Sequence, residues 1–252
     1  MKVGNINQKN MTTTFFSKGI VFRIIKYGET SIICDIFTKE KGLRSYIVSG
    51  VRMSKTKTKA NFYRPLNILE ITAYDGESDK LSRIKEVGFS HVYRLINTDV
   101  IRSSVALFIL EVTRNALKTG EEERELFDYL EKTLITLDTS PKFSPLIHHK
   151  FLLDLSAYLG FEPMQNYEEN KPVFNLLNGF FEEENASVQY VMDKETSEIL
   201  KDLMEYDIEK LENFVIPRKT RQKLLEDLII YYRWHIPCFK EILSKEVLEM
   251  VF

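Results

Sequence analysis

The chain has 252 residues, 44% of them hydrophobic and 29% charged, which is typical of a globular protein and too apolar for a disordered one. The net charge of −2 hides an uneven distribution of charge: residues 1–100 carry 17 Lys and Arg against 9 Asp and Glu, whereas residues 101–252 carry 18 against 28. This difference suggests two domains, the first with a polyanionic partner. The apolar runs are too short for a membrane-spanning protein, and no apolar signal-peptide core precedes Gly19, which argues against a secreted one. Two cysteines are too few for a zinc ribbon.

The first ninety residues predict five β-strands. Short segments rich in Ile, Val, Phe and Tyr, each bounded by turn residues, lie at residues 20–27, 31–37, 43–49, 66–74 and 81–89. Five strands in about eighty residues suit a small closed barrel, because an open sheet would leave two edges to protect. We therefore predict a barrel over residues 19–90, preceded by an N-terminal extension, residues 1–18.

After about Thr98 the apolar period changes from two residues to nearly four, which indicates helices. The first predicted helix starts near Ile101 and the second covers residues 126–137. The third has its N-cap at Ser144-Pro145 and stops at Gly160. Further helices are predicted at residues 194–205, 208–214 and 217–235, and a last one before Phe252. Residues 160–193 predict an irregular insert with short strands at 173–177 and 188–192. The fold class is α+β, with a basic barrel followed by a helical domain over residues 91–252.

The strongest charge signal lies at residues 41–69, which contain no acid. The cations there are Lys41, Arg44, Arg52, Lys55, Lys57, Lys59 and Arg64. A polar loop of this kind can follow a phosphate backbone, with Lys and Arg supplying charge and Ser or Thr hydroxyls donating to phosphate oxygens. The alternative is a solvated surface loop that is merely cationic.

Aromatic residues flank the same region and include Tyr27, Tyr46, Phe62, Tyr63 and Tyr74. Exposed aromatic rings beside a basic groove on a small barrel stack with unpaired bases. Most of the five should be core residues, and Tyr46 is the favoured stacking residue because alternation places it on the same strand face as Arg44. The predicted DNA-binding set also includes Arg23 and Lys26 on the first strand.

Enzyme signatures are absent, since the sequence has no phosphate-binding glycine loop, no paired-histidine zinc motif and no nucleophile elbow. Glutamates at 121–125 and 182–184 could hold a metal for phosphodiester hydrolysis, but such runs are usually solvated faces. His148 and His149 are adjacent and point about 100° apart on a helix, so they cannot chelate one metal together. We predict no enzyme activity, no cofactor and no metal.

A second basic cluster opens the helix at residues 217–235. Arg218, Lys219, Arg221 and Lys223 crowd its first two turns, where the helix dipole prefers anions. An acidic peptide or a phosphate is a plausible partner, and a merely soluble helix start is the alternative.

The order of residues resembles the bacterial RecO family. The matching residues in the barrel are Glu29-Thr30-Ser31, Asp35-Ile36-Phe37-Thr38, Gly42, Gly50-Val51-Arg52, Lys55, Ala60, Pro65-Leu66 and Leu69, and in the helical part Phe151-Leu152-Leu153 and Leu159-Gly160-Phe161-Glu162-Pro163. The resemblance covers most of the chain from Gly19 onward. It implies an OB-fold barrel followed by a helical domain, and a cytoplasmic, nucleoid-associated protein.

The resemblance also implies a function in DNA repair and recombination. Members of the family bind single- and double-stranded DNA, the acidic tail of the single-stranded DNA-binding protein SSB, and RecR. They anneal strands and help load RecA, which is therefore an indirect partner. Two other readings stay open: an OB-fold subunit of another nucleic-acid or translation assembly, and a metal-dependent nuclease.

The chain departs from the family pattern at three places. Many members carry four zinc-binding cysteines after the Gly-Phe-x-Pro turn, and none follows here, so residues 160–193 should fold without metal. A C-terminal Lys-Ser-Arg feature reads Lys240-Glu241-Ile242. The family often has paired arginines where this chain has His148-His149, so the rim of the SSB-tail pocket is expected at His149, Lys150 and Phe151, with Arg218 and Arg221 as the rival site.

Overall fold

The computed structural model describes residues 13–51, 57–77, 80–184 and 190–252, apart from the side chains of residues 57–59 and 209. The chain divides into two compact units. The first contains residues up to Val92 together with Lys118–Arg124, and the second contains Tyr93–Leu117 and Glu125–Phe252. The predicted order, a β unit followed by a helical unit, is therefore interrupted once, where the chain returns briefly to the first unit.

The first unit is a closed five-stranded barrel. Its strands are β1 (Thr14–Tyr27), β2 (Ser31–Thr38), β3 (Gly42–Val48), β4 (Ile68–Tyr74) and β5 (Ser82–His91). They close in the order β1-β2-β3-β5-β4, and only the β3–β5 pair is parallel among the pairs that the structure describes. A short helix, α1 (Lys57–Phe62), stands between β3 and β4. The predicted OB-fold barrel is confirmed.

Strand β1 is longer than its sequence pattern indicated. It begins at Thr14, which pairs with Tyr74 on β4, so the last residues of the predicted extension, 1–18, belong to the barrel. The polar Ser17 interrupts the apolar pattern there. Its hydroxyl is nevertheless buried and donates to the Lys18 carbonyl at 2.7 Å, so the strand continues without an unsatisfied polar group.

The returning segment, Lys118–Arg124, lies along the start of β3. The Gly120 N–H donates to the Leu43 carbonyl at 2.9 Å, and Thr119 forms a β-bridge with the same residue. Arg124 adds an ion pair to Glu40 at 2.7 Å. The predicted helical domain, 91–252, therefore includes seven residues that complete the barrel unit, which no periodicity signal marks.

The second unit is built mainly from helices. They are α2 (Val100–Ala116), α3 (Arg124–Thr139), α4 (Ile147–Tyr158), α5 (Lys194–Glu205), a 3-10 helix (Ile208–Asn213), α6 (Arg218–His235) and α7 (Ser244–Val251). The predicted helices are confirmed, except that residues 208–213 form a 3-10 helix. Helix α2 has buried residues on more than one side, among them Val105 and Phe108, and Asp99 caps it by accepting from the Ile101 N–H at 2.9 Å. No helix among the described residues is long and apolar enough to cross a bilayer.

The predicted N-cap of α4 is wrong by two residues. Ser144 does not cap the helix, because its hydroxyl accepts from the Leu146 N–H at 3.1 Å and closes a turn before the helix begins. The C-terminal prediction is confirmed, since α4 ends at Tyr158 and Gly160 has a positive φ of 81°.

The insert at residues 160–193 contains a small hairpin of β6 (Val173–Asn175) and β7 (Phe180–Glu182). The predicted strand at 173–177 is confirmed in its first three residues, and β7 was not predicted. The predicted strand at 188–192 lies partly outside the described residues, and its Val191 bridges Asn175. Phe174 and Phe181 of the hairpin are buried, and so is Met192.

Candidate nucleic-acid interface and peptide pocket

The strand register places the cations of the basic barrel at two ends. One end of the barrel contains the β1–β2 hairpin and the connection through α1 into β4. We call it the α1 end, and it carries Lys26 and Arg64. At the other end lie the β2–β3 turn and the loop after β4. This end, which we call the Asp75 end, carries Lys41 and Arg44.

The cations at the Asp75 end are paired within the barrel. Lys41 Nζ lies 3.3 Å from one Asp75 carboxylate oxygen, and Arg44 Nη1 lies 3.5 Å from the other. Arg44 also donates to the Gly76 carbonyl at 3.0 Å, and its side chain is only 10% exposed. The predicted accessibility of Arg44 to phosphate is therefore wrong, because its charge is already neutralised and largely buried.

Tyr46 is in the core of the barrel, so the prediction that it faces a ligand is wrong. Its exposed fraction is 0%, and burial raises the pKa of its hydroxyl to about 12. It does share a strand face with Arg44, as alternation predicted, but that face points inward. Alternation shows which residues share a face, and only closure of the barrel shows which face is inside.

Arg23 is part of a polar row across three strands. Its guanidinium contacts the Asp35 carboxylate at 2.8 and 2.9 Å, and the Ser45 hydroxyl donates to the same carboxylate at 2.6 Å. Asp35 is nearly buried, so it balances the charge of Arg23 directly. Arg23 therefore offers less free positive charge to a polyanion than sequence position alone predicted.

The α1 end has accessible cations. Lys26 and Arg64 are exposed and have no ion-pair partner among the residues that the structure describes. Of the other predicted cations, Arg52 and Lys55 lie outside the described residues, and Lys57 and Lys59 lie on α1 with side chains outside the description. No acid lies in the first turn of α1, so no carboxylate of that turn offsets its cations.

Aromatic rings are accessible at the same end. Tyr27, at the tip of the β1–β2 hairpin, is 50% exposed. Phe62 of α1 packs against Phe89 of β5 with ring centroids 4.5 Å apart, and Phe89 is 43% exposed. The sequence could not identify Phe89, because it lies 27 positions after Phe62 and only the closed barrel brings the two rings together.

The two sequence clusters proposed as rival peptide sites line one pocket in the helical unit. His149, at the start of α4, and Arg218 and Arg221, at the start of α6, face the same small cavity. His149 Nε2 donates to the Arg221 carbonyl at 2.8 Å and so links the two helix starts. Leu225 adds an apolar wall. An apolar floor with a cationic rim suits an acidic peptide with a hydrophobic end.

Lys150 and Phe151, which were predicted to belong to this site, point elsewhere. Lys150 Nζ pairs with the Asp154 carboxylate at 2.8 Å. Phe151 is fully buried and stacks on Tyr129, with ring centroids 5.6 Å apart. Neither lines the pocket, because residues 149, 150 and 151 point in directions about 100° apart around the helix.

The histidines of the pocket do not act as pH-dependent charges near neutrality. Burial lowers the pKa of His149 to about 4 and that of His148 well below its usual value. Histidines of ordinary pKa would gain charge between about pH 8 and pH 6, whereas both of these rings stay neutral there. Arg218 and Arg221 supply the positive charge instead.

The glutamate clusters do not form a metal site among the described residues, where no group of three or more His, Cys, Asp or Glu side chains is placed to hold an ion. Glu121 pairs with Lys118 at 3.5 Å, and Glu184 pairs with Lys194 at 2.5 Å. These contacts are those of solvated surface charges.

Two family models match the chain and meet near the boundary between its units. Recombination protein O N terminal matches residues 11–93, and Recombination protein O C terminal matches residues 97–240. The chain belongs to the RecO family. The first match covers the barrel, including the part of β1 that the sequence pattern missed, and the second covers the helices through α6.

Relatives of similar length share about a third of their residues with this RecO family member. The DNA repair protein RecO of Christiangramia forsetii is 33% identical, and that of Flavobacterium psychrophilum is 34% identical, each over 94% of this chain and 98% of the relative. The DNA repair protein RecO of Phocaeicola vulgatus is 32% identical over 93% of this chain and 97% of the relative. The resemblance noted in the sequence is confirmed over nearly its full length.

Proposed function

We propose that this RecO family member is a recombination mediator in DNA repair that binds single- and double-stranded DNA and anneals complementary strands. It helps load RecA onto SSB-coated DNA together with RecR. Membership in a DNA repair family supports the general role. The supporting observation within the molecule is the contrast between the barrel's two ends, with accessible cations at the α1 end and paired cations at the Asp75 end.

The α1 end offers the two kinds of contact that single strands need. Lys26, Arg64 and the basic helix α1 can neutralise phosphates and release their counterions, which supplies most of the affinity without sequence preference. Tyr27 and Phe89 present rings on which unpaired bases can stack, at about 1–3 kcal/mol per base. Annealing follows if two strands are held by their backbones while their base-pairing edges stay free.

The pocket between α4 and α6 is the proposed receptor for the SSB tail, which is acidic and ends in phenylalanine. Arg218 and Arg221 would pair with its carboxylates, and the apolar wall at Leu225 would contact its aromatic ring. RecR and RecA contacts are proposed from the family alone.

The test of the DNA interface is a salt titration of binding to labelled single-stranded DNA. The double variant Lys26→Ala/Arg64→Ala should weaken binding equally for unrelated sequences and reduce the slope of log K against log salt by about 0.7 for each lost contact. The matched control is Lys41→Ala/Lys80→Ala. It also removes two cations, but these are paired with Asp75 and Glu77. Its slope should stay near that of the unchanged protein.

Equal losses in both variants would mean that only net charge matters and that the α1 end is not the interface. Annealing of complementary strands without ATP would favour the mediator over an OB-fold subunit of another assembly. Cleavage products after incubation with magnesium or manganese would instead support the nuclease reading.

A further inference from the structure

The pocket between α4 and α6 is partly filled by the chain's own last residues. The Phe252 ring lies 5.4 Å from the His148 ring and 6.5 Å from that of Phe143, which it meets edge-on. Leu248 and Glu249 of α7 also line the cavity. The site proposed for a phenylalanine at the end of an acidic peptide thus holds a phenylalanine that follows Glu246 and Glu249 in this chain.

The two arginines of the rim hold α7 through main-chain oxygens. Arg218 Nη2 donates to the Glu249 carbonyl at 2.8 Å, and Arg221 Nη2 donates to the Phe252 main-chain oxygen at 3.4 Å. Within the described part of the chain, neither guanidinium pairs with a side-chain carboxylate. Burial and the neighbouring charge of Arg218 lower the pKa of Arg221. A peptide carboxylate would give each guanidinium a stronger, charge-assisted bond.

Helix α7 packs against α2 but has few buried side chains of its own. It has eight residues, of which only Leu248 is buried, whereas Val247 and Met250 are exposed. A helix this short is marginal without tertiary contacts, and segments with few buried side chains open locally before the rest of a domain. Its first turn is held separately, because the Glu111 carboxylate on α2 accepts from the Leu243 and Ser244 N–H groups at 3.0 and 2.9 Å.

From these contacts we infer that α7 is an internal competitor for the peptide pocket. Phe252 occupies the aromatic site until an acidic peptide ending in phenylalanine displaces it and pairs with Arg218 and Arg221. The inference rests on the proposed tail binding and adds its regulation, since only the fraction of molecules with α7 open can bind. Tail binding then becomes a signal that frees α7 for other contacts.

The test measures binding of a fluorescein-labelled acidic peptide ending in phenylalanine to the full chain by anisotropy. A pocket closed in about 90% of molecules weakens apparent affinity about tenfold, so Phe252→Ala should tighten binding by up to about tenfold. Met250→Ala is the matched control on the same helix, because that side chain is 80% exposed and makes no pocket contact. It should leave the affinity unchanged.

A second variant acts on α7 without touching the pocket. Glu111→Ala removes the bonds to the start of the helix, so it should also tighten peptide binding. Hydrogen exchange supplies a further readout, because addition of the peptide should speed exchange of the Phe252 amide, which donates to the Leu248 carbonyl at 3.1 Å in the closed form.

The outcomes separate the inference from the proposed partner. Weaker or unchanged binding by Phe252→Ala, with normal binding by the unaltered chain, would overturn the competition while leaving tail binding in place. Arg221→Ala should abolish peptide binding both in the otherwise unaltered chain and in the Phe252→Ala variant. If neither the unaltered chain nor Phe252→Ala binds the peptide more tightly than a control peptide ending in alanine, tail binding itself falls, and the inference falls with it.

Discussion

At the scale of single residues, burial changes the charge state that residue type alone suggests. His148 and His149 have rings 4.2 Å apart, both are buried, and the Nδ1 atom of each lacks a hydrogen-bond partner among the described residues. A neutral ring tolerates this environment and an imidazolium does not. The folded state therefore favours the neutral form of both imidazole rings.

The lowered pKa of His149 predicts a loss of stability in mild acid. The unfolded chain takes up a proton near a pKa of about 6.5 and the folded chain only near 4, so stability is full above about pH 6.5 and falls as the pH drops toward 4. Each unit of lowered pKa corresponds to about 1.4 kcal/mol. Urea unfolding at about pH 7.5 and about pH 5 should show a smaller loss for His149→Gln, which does not titrate, than for the unaltered chain. Identical losses would show that His149 is not responsible.

At the scale of elements, the segment Lys118–Arg124 depends on a backbone conformation in the β2–β3 turn. Gly42 has φ of +65°, and a Cβ at this position would overlap the carbonyl of Glu121. The glycine thus serves both the turn and the close approach of the returning chain. The sequence shows the turn but gives no sign of the approach.

Gly42→Ala should therefore destabilise the barrel unit more than the same change at another left-handed glycine. Gly28 is the matched control, since its φ is +60° but an added Cβ would meet no described atom within 4 Å. The left-handed conformation alone should cost about 1–2 kcal/mol at either site. Overlap with backbone should add at least about 2 kcal/mol at Gly42, measured by denaturant unfolding. Equal effects would mean that the returning segment moves aside easily.

At the scale of the whole molecule, each unit has its own means of stability. The barrel closes around an apolar interior, whereas the insert of the helical unit is held by packing and by amide hydrogen bonds. Asn166 brackets the middle of β7, donating to the Phe181 carbonyl at 2.9 Å and accepting from its N–H at 2.8 Å. Phe174 packs edge-on against Phe181, with ring centroids 5.1 Å apart.

The insert is predicted to fold without zinc. Cys34 is buried in the barrel and Cys238 is exposed in the other unit, so no four-thiolate set can form. A chelator should leave the melting temperature unchanged, whereas Phe181→Ala should lower stability by about 3–5 kcal/mol because it removes a buried ring. Stoichiometric zinc in chelator-washed protein, or a Phe181→Ala variant of unchanged stability, would contradict this account.

The sequence by itself determined the features that depend on local periodicity. Alternation predicted five strands and the shared face of Arg44 and Tyr46, and the change to a period near four predicted the helices from α2 to α7. Cation spacing marked both candidate binding regions, and the ordered motifs of the barrel indicated the family. These signals are short-range, because a strand or a helix is set by neighbours within a few residues.

Only the tertiary structure decided which of those residues are available for binding. Closure of the barrel placed Tyr46 inside and brought Asp75 to Lys41 and Arg44, and the packing of α6 against α4 joined His149 to Arg221, 72 positions along the chain. Exposure, ion pairing and pKa depend on contacts between distant segments, and a linear pattern carries no record of those contacts. For the same reason, the return of α7 to the pocket at the start of α6 became visible only in the folded chain.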